Sequence, residues 1–442
     1  MKQNIHYIST QNALPEFSFQ EAILQGLAPD GGLFVPDNLP SLPADTFQTS
    51  DLHTLGISLL KGLIPELSPD QLKTCIQESL NFPVPLIHLA DNIYLLEVFH
   101  GPTLAFKDIG ARFMARVLSE ILKNKKISLN ILVATSGDTG SAVAHGFFGV
   151  PNINVYILYP AGRITPLQEQ QMTTLGGNIF PFKVKGSFDD CQRLVKTALQ
   201  DITLPQRTGR QFSTANSINI ARLLPQMIYH SWGIVQLQKN FHTENPLLSI
   251  PSGNLGNLVA AVYAHARGMP AKHFIAATNI NTAFGEFLTT GKYTGRPSRK
   301  SFSSAMDVGH PSNLERLRHF YQDDLSEIRR SITASSVSDT DTLDTIRSTF
   351  RQYGYLADPH TAVGIKAARK FCLKHPAKSA TPVIVTATAH PAKFPEVIYS
   401  ALGNDFPLML PESLKRASAL PGTSREISAD YPQLQTLLEQ NS

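Results

Sequence analysis

The chain has 442 residues, of which 42% are hydrophobic and only 17% charged, with a net charge of +4. This composition supports a large packed core and argues against a disordered chain, and the scattered basic residues leave no footprint for nucleic acid. At roughly 150 residues per domain two or three domains are expected, and no run of about 18 apolar residues signals a membrane span.

The first residues, Met1-Lys2-Gln3-Asn4-Ile5-His6, lack the apolar core of a signal peptide. The three cysteines, Cys75, Cys191 and Cys372, are far apart and form no Cys-x-x-Cys pair. Neither a disulfide framework nor a zinc site is indicated, and no metal is expected. The cysteines read as small buried apolar residues of a reducing compartment, so a cytoplasmic protein is expected.

Residues 1 to about 90 carry helical patterns broken by Pro-rich turns, with Asp37 to Pro43 loop-like. From Ile93 strands alternate with helices. The segment His100-Gly-Pro-Thr-Leu-Ala-Phe-Lys-Asp108 is a loop running into a helix that Asp108 can cap. Ile109, Phe113, Met114, Val117, Leu118 and Ile121 keep the helical period there. The densest basic run, Lys123-Asn124-Lys125-Lys126, reads as a solvated helix end. A βαβ unit follows: a strand at 131–135, a helix through Ala142 and His145, a strand at 153–158. Further strands are expected at 247–252, 274–279 and 382–388. The basic Gly/Ser stretch from Gly291 to Ser304 reads as a mobile lid or linker, and 333–345 as a surface connection. This alternation implies a mostly parallel sheet covered on both faces, with ligands beyond the carboxyl ends of its strands. The Ser136 and Gly253 loops both follow strands directly.

Two features carry chemistry. Lys107 stands where loop meets helix, at the helix's positive end. An amine there can be tuned toward neutrality, where it is nucleophilic. Pro251-Ser-Gly-Asn-Leu-Gly-Asn257 links an apolar strand to a helix beginning near Leu258. Such a turn points backbone N–H groups at one anion; its glycines allow close approach and its asparagines tolerate left-handed backbone. No Gly-Lys-Ser/Thr follows, and the Gly-x-Gly-x-x-Gly spacing is absent, so neither nucleotide signature applies. A phosphate cradle without nucleotide signatures, together with a special lysine, suggests a small phosphorylated cofactor held as a Schiff base, pyridoxal 5'-phosphate.

The residues that carry these features resemble the threonine synthase family. The resemblance rests on His100 to Asp108 and Ser252 to Asn257. It extends to Leu27-Ala-Pro-Asp-Gly-Gly-Leu-Phe-Val-Pro36, Ala134-Thr-Ser-Gly-Asp-Thr-Gly-Ser141 and Ala305-Met-Asp-Val-Gly-His-Pro-Ser-Asn313. Asp358-Pro-His-Thr-Ala-Val-Gly364 and Thr388-Ala-His-Pro-Ala-Lys-Phe394 complete it. Length and N-terminal extension look like the longer bacterial and fungal branch. The resemblance implies an α/β, tryptophan-synthase-β-like fold (fold type II of pyridoxal-phosphate enzymes). It implies two open, mostly parallel α/β domains plus an N-terminal extension: residues 1–92 as an N-terminal domain, 93–442 as a catalytic region of a large and a small subdomain.

The implied enzyme is a carbon–oxygen lyase that converts O-phospho-L-homoserine and water to L-threonine and phosphate. By the same resemblance Lys107 is the Schiff-base lysine. Gly253, Asn254, Leu255, Gly256 and Asn257 hold the cofactor phosphate, and Thr388 faces the ring nitrogen. Ser136, Asp138 and Thr139 hold the substrate's amino-acid end, and Asn216, Ser217 and Arg222 receive its phosphate. Position 255 is often Phe in this family, so Leu is a departure, one that leaves the backbone donors intact.

The competing readings are a lyase of the same scaffold, releasing 2-oxobutyrate, ammonia and phosphate, and a non-catalytic metabolite-binding protein. His360 and His390 read as hydrogen-bonded interior histidines, Asp358 with His360 lacks a third metal ligand, and Trp232 reads as packing. No Gly-x-Ser-x-Gly elbow suggests a serine hydrolase. No appended regulatory domain is read, and the first 90 residues look structural. A monomer or homodimer acting on a small molecule is expected.

Overall fold

The structure, a computed structural model, describes residues 5–441 except Ala13 and Asn124. Met1 to Asn4 of the N-terminal reading, and Asn124 of the basic run, lie outside the described residues. The strands, in chain order, are β1 (Tyr7–Ser9), β2 (Phe34–Pro36), β3 (Leu86–Ala90), β4 (Ile93–Glu97), β5 (Leu129–Ala134), β6 (Ile153–Pro160) and β7 (Ile179–Lys185). They continue with β8 (Gln211–Thr214), β9 (Leu247–Pro251), β10 (His273–Thr278), β11 (Ile332–Ser336), β12 (Val383–Ala387) and β13 (Arg425–Ser428).

Among the described residues they form three sheets. A large sheet has the order β11-β10-β9-β12-β4-β3, and a smaller one β13-β7-β6-β5-β8. All neighbours in both pair in parallel except β3 with β4. β1 and β2 form a short antiparallel ribbon. Parallel strands need crossovers, and the helices that supply them cover both faces, so these strands read as continuous apolar runs. β4 shows how: Tyr94 and Leu96 enter one core cluster, and Ile93 and Leu95 enter another on the opposite face. In β6, Val155 and Ile157 divide in the same way from Tyr156 and Leu158.

The N-terminal residues share the largest core with both sheets rather than forming a separate one. The helix Phe19–Gln25 starts in a capping box made by Ser18 and Glu21. Its Ile23 carbonyl accepts from Ser213 Oγ (2.8 Å) and Asn219 Nδ2 (2.9 Å), which anchors it to the end of β8. The ribbon β1–β2 and strand β3 escaped the sequence reading, because three to five residues are too few to show a period of two among prolines and glycines.

Three other expectations are corrected. Residues 333–345 are not a surface connection. They hold edge strand β11, then the helix Asp339–Tyr353, capped by the Ser338 side chain. Ser and Thr suit an edge strand and an N-cap as well as a loop. The Gly291–Ser304 stretch is irregular as expected but is fastened down. Arg299 exchanges hydrogen bonds with Asn281 (2.7 and 2.9 Å), and Ser301 bonds Asp307 through both N–H and hydroxyl. Cys75 and Cys191 are buried, but Cys372 is partly exposed. Among the described residues, no helix is long and apolar enough to cross a membrane.

Candidate active site

The carboxyl ends of both parallel sheets open on one cavity of about 360 Å³. Every site residue singled out from the sequence lines it: Lys107, Ser136, Asp138, Thr139, Asn216, Ser217, Arg222, the run Gly253 to Asn257, and Thr388. Leu27, Gly31 and Leu33 of the N-terminal segment form part of its wall, so that segment does more than support the fold from outside.

Lys107 is the first residue of the helix Lys107–Leu122. Its loop is stitched to the exit of β12: Phe106 N–H donates to Thr388 O (2.9 Å), and His390 N–H to Leu104 O (3.0 Å). Thr388 N–H in turn meets Thr361 Oγ1 at 3.3 Å. The amine and the Thr388 hydroxyl are thereby held on one frame. Burial pulls the Lys107 ammonium down to about 8; the Arg222 and Lys393 cations add to this, and Asp138 opposes it. Asp108 does not cap the helix. It is buried in the first turn, and its carboxylate accepts from Thr103 N–H (2.8 Å) and Thr103 Oγ1 (2.7 Å), bracing the loop instead.

The Gly253 loop leaves β9 and enters the helix Gly256–Ala266. First-turn N–H groups of a helix have no carbonyl of their own helix to bond. They converge with the helix dipole on the cavity. A Cβ on Gly253 would lie 2.7 Å from Met306 Cα, so glycine is needed there for close approach, not for its φ. The left-handed residue is Leu255, with φ 60°, and not either asparagine. Its buried side chain, at 1% exposure, anchors that strained backbone in the core. Asn257 Oδ1 accepts from Tyr229 OH (2.5 Å) and His230 Nε2 (2.8 Å), leaving Nδ2 buried without a partner.

The second anion-accepting segment lies at the end of β8. Asn216 is partly engaged: its amide donates one proton to Ala134 O (2.6 Å) and accepts from Ala134 N–H (3.0 Å), clamping the strand end below Ser136. Ser217 Oγ accepts from Asn254 Nδ2 (2.6 Å), which leaves its own proton to donate. Arg222 is buried, bonded to Ala215 O, with Nε lacking a partner. It lies across Gly110, where a Cβ would be 2.7 Å from Arg222 O. Arg316, also buried, donates to Phe34 O, Ser217 O, Ile218 O and Asn313 Oδ1, fixing this segment from behind.

Asp138 opens the helix Asp138–Phe147. Burial pushes its carboxyl up, but the Lys393 and Lys107 ammonium groups more than offset this and hold it well below the usual carboxylate range. Its Oδ1 is 2.7 Å from Lys393 Nζ. His360 donates from Nδ1 to Asp358 (2.7 Å) and accepts Ala305 N–H at Nε2 (3.1 Å), which fixes its tautomer and holds the 305–308 wall. Its interior, hydrogen-bonded role is as expected. The sequence reading missed Lys393, Asn313 and Arg316 as parts of this site, although Lys393 and Asn313 stand in segments it had singled out.

The residues fit a phosphorylated aldehyde. A buried amine that burial brings down to about 8 lines the same cavity as a helix N-terminus, and two buried donors, Asn257 Nδ2 and Arg222 Nε, lack partners. The model for pyridoxal-phosphate dependent enzymes matches residues 77–388, and the chain is an enzyme of that class with fold type II. Models for the N terminus and the C-terminal part of threonine synthase match residues 6–80 and 361–438. The threonine synthase of Haemophilus influenzae is 40% identical over 432 residues, covering 96% of this chain and 97% of that one. The solved threonine synthase from Escherichia coli superposes with a TM-score of 0.91 at 38% identity, over 99% of this chain and 100% of that one. The pyridoxal-phosphate-bound threonine synthase from Brucella melitensis gives 0.90 at 31% identity, over 99% of each. The chain belongs to the threonine synthase family.

Proposed function

We propose that this chain makes L-threonine and inorganic phosphate from O-phospho-L-homoserine and water, in the cytoplasm, as the last step of threonine biosynthesis. One observation carries the reading: two anion-accepting segments, at Gly253–Asn257 and at Ser217 with Arg222, face one buried lysine across a single cavity. A phosphorylated cofactor and a phosphorylated substrate need two such sites; a cofactor-free binding protein needs one.

In this reading the Gly253 loop and Asn257 hold the cofactor phosphate, and Thr388 meets the ring nitrogen. Bound pyridoxal phosphate supplies the electron sink that makes carbon acids of the substrate's Cα and Cβ. Lys107 removes and returns protons at these carbons as general base and acid, helped by burial that brings its amine down to about 8. Ser136 and Thr139 hold the substrate carboxylate. Arg222 and the Ser217 hydroxyl grip the phosphate while it leaves Cγ, as charge-assisted donors do well. Leu27, Leu33 and Met306 limit water to the molecule that adds at Cβ. Residues 1–92 wall the cavity and lend β3 to the large sheet, 93–442 act as the catalytic region, and the working particle is a monomer or homodimer.

The test is product identification by NMR after incubating holoenzyme with O-phospho-L-homoserine, with Lys107→Ala as control. Equal amounts of threonine and phosphate, absent in the control, are expected. Phosphate with 2-oxobutyrate means the lyase. No turnover and no absorbing cofactor band mean a binding protein.

A further inference from the structure

We propose that Lys393 is a positioning residue for the reaction: its buried ammonium holds the Asp138 carboxylate, which otherwise would pair with Lys107 and repel an anionic substrate. This rests on Lys107 being the cofactor lysine.

Lys393 is 0% exposed and ends the short turn Pro391–Lys393 beyond β12, on the large sheet. Its Nζ lies 2.7 Å from Asp138 Oδ1 and 2.7 Å from Thr103 O. Asp138 belongs to the small-sheet side, where Gln168 Nε2 also donates to it at 2.9 Å. Thr103 belongs to the loop that delivers Lys107. One ammonium thus joins three parts of the site and touches none of the cavity.

The need for it follows from charge. A carboxylate buried this deeply must find a cation or be protonated. The charged and titratable groups that act on Asp138 are Lys393, Lys107 and His360; those that act on Lys107 are Asp138, Arg222 and Lys393. Buried Asp108 is engaged by Thr103. Without Lys393 the nearest ammonium left for Asp138 is the one whose neutral form the reaction uses. A bare carboxylate would also stand in the loop that receives the carboxylate of a doubly anionic substrate.

The experiment compares holoenzyme of the wild type, Lys393→Met, Asp138→Asn and the double variant. The absorbance of the bound cofactor is titrated against pH, and KM and kcat for O-phospho-L-homoserine are measured separately. Lys393→Met is expected to raise the spectral midpoint by about one pH unit or more and KM by about tenfold. Asp138→Asn is expected to lower the midpoint, and the double variant to return toward the wild type. A folded Lys393→Met protein with an unmoved midpoint, or a double variant that keeps the Lys393→Met midpoint, overturns the proposal. If Lys393→Met does not fold, Asp138→Asn decides: a midpoint that stays or rises overturns it. The reading beneath it fails separately, if Lys107→Ala retains the wild-type absorbing band and its titration.

Discussion

Arg222 illustrates how one residue can be legible in type but not in use. The sequence places it in the same turn-to-helix segment as Asn216 and Ser217, an arrangement that suits a phosphate. The structure buries it at 4% exposure over Gly110 and spends one nitrogen on Ala215 O, leaving Nε free. Burial brings the guanidinium down to about 10, still protonated at neutral pH. A hydrogen bond from a charged donor contributes about 1.5–3 kcal/mol. Arg222→Ala should therefore raise KM for O-phospho-L-homoserine by about tenfold to a hundredfold, and weaken inhibition by inorganic phosphate in parallel. Steady-state kinetics check this, and an unchanged KM removes Arg222 from the site. Asn216 shows the reverse case. Its residue type fits a phosphate ligand, but one amide proton and the amide oxygen go to Ala134, and no sequence pattern reveals a partner 82 positions away. Lys393 was hidden for the same reason, since its carboxylate partner opens a helix on the small-sheet side, far away in sequence.

The element scale explains why the βαβ units were read well and the loops only in outline. Apolar runs such as 131–135 and 382–388 need no partner to be recognised, because both faces of a parallel strand are buried. Their observed bounds, Leu129–Ala134 and Val383–Ala387, differ by one or two residues. The Gly253 turn was legible as a strand-to-helix anion loop. Which residue would be left-handed was not, because what holds Leu255 at φ 60° is the burial of its side chain in the shared core, which a sequence window does not show. The closeness of Met306 to Gly253 gives a prediction. Gly253→Ala must push the Ala305–Met306 backbone away, and such overpacking costs about 1–3 kcal/mol. A fluorescence titration of cofactor-free protein should show weaker pyridoxal-phosphate binding, by about tenfold or more, with a lower melting temperature. Unchanged affinity would mean the wall yields freely.

At the scale of the whole molecule, the chain crosses between the two sheets three times: from β4 to β5, from β8 to β9 and from β12 to β13. Neither sheet is therefore one continuous stretch of sequence, which is why the strand–helix alternation implied a mostly parallel sheet but not its division into two, and the two α/β domains came only from the family resemblance. The N-terminal segment is tied across this arrangement by Arg316, whose guanidinium spans Phe34 O and the Ser217–Ile218 carbonyls. Arg316→Met leaves several buried acceptors unpaired and should cost about 3 kcal/mol or more. The expected signs are a lower melting temperature, faster proteolysis within residues 5–80 and a raised substrate KM. A variant that melts and binds as the wild type would show that the N-terminal wall holds without it.

The place of β12 in the large sheet has a consequence for how the chain is made. This strand, late in sequence, fills the gap between β9 and β4, both of which emerge from the ribosome long before it. Until residue 387 has been synthesised, those two strands each present an unpaired edge, and exposed edges template pairing with other chains. The same strand brings Thr388 and, just beyond it, Lys393. Assembly of the site is thus the closing event of the sheet, and a nascent chain carries its reactive lysine through most of its synthesis without Thr388 and Lys393.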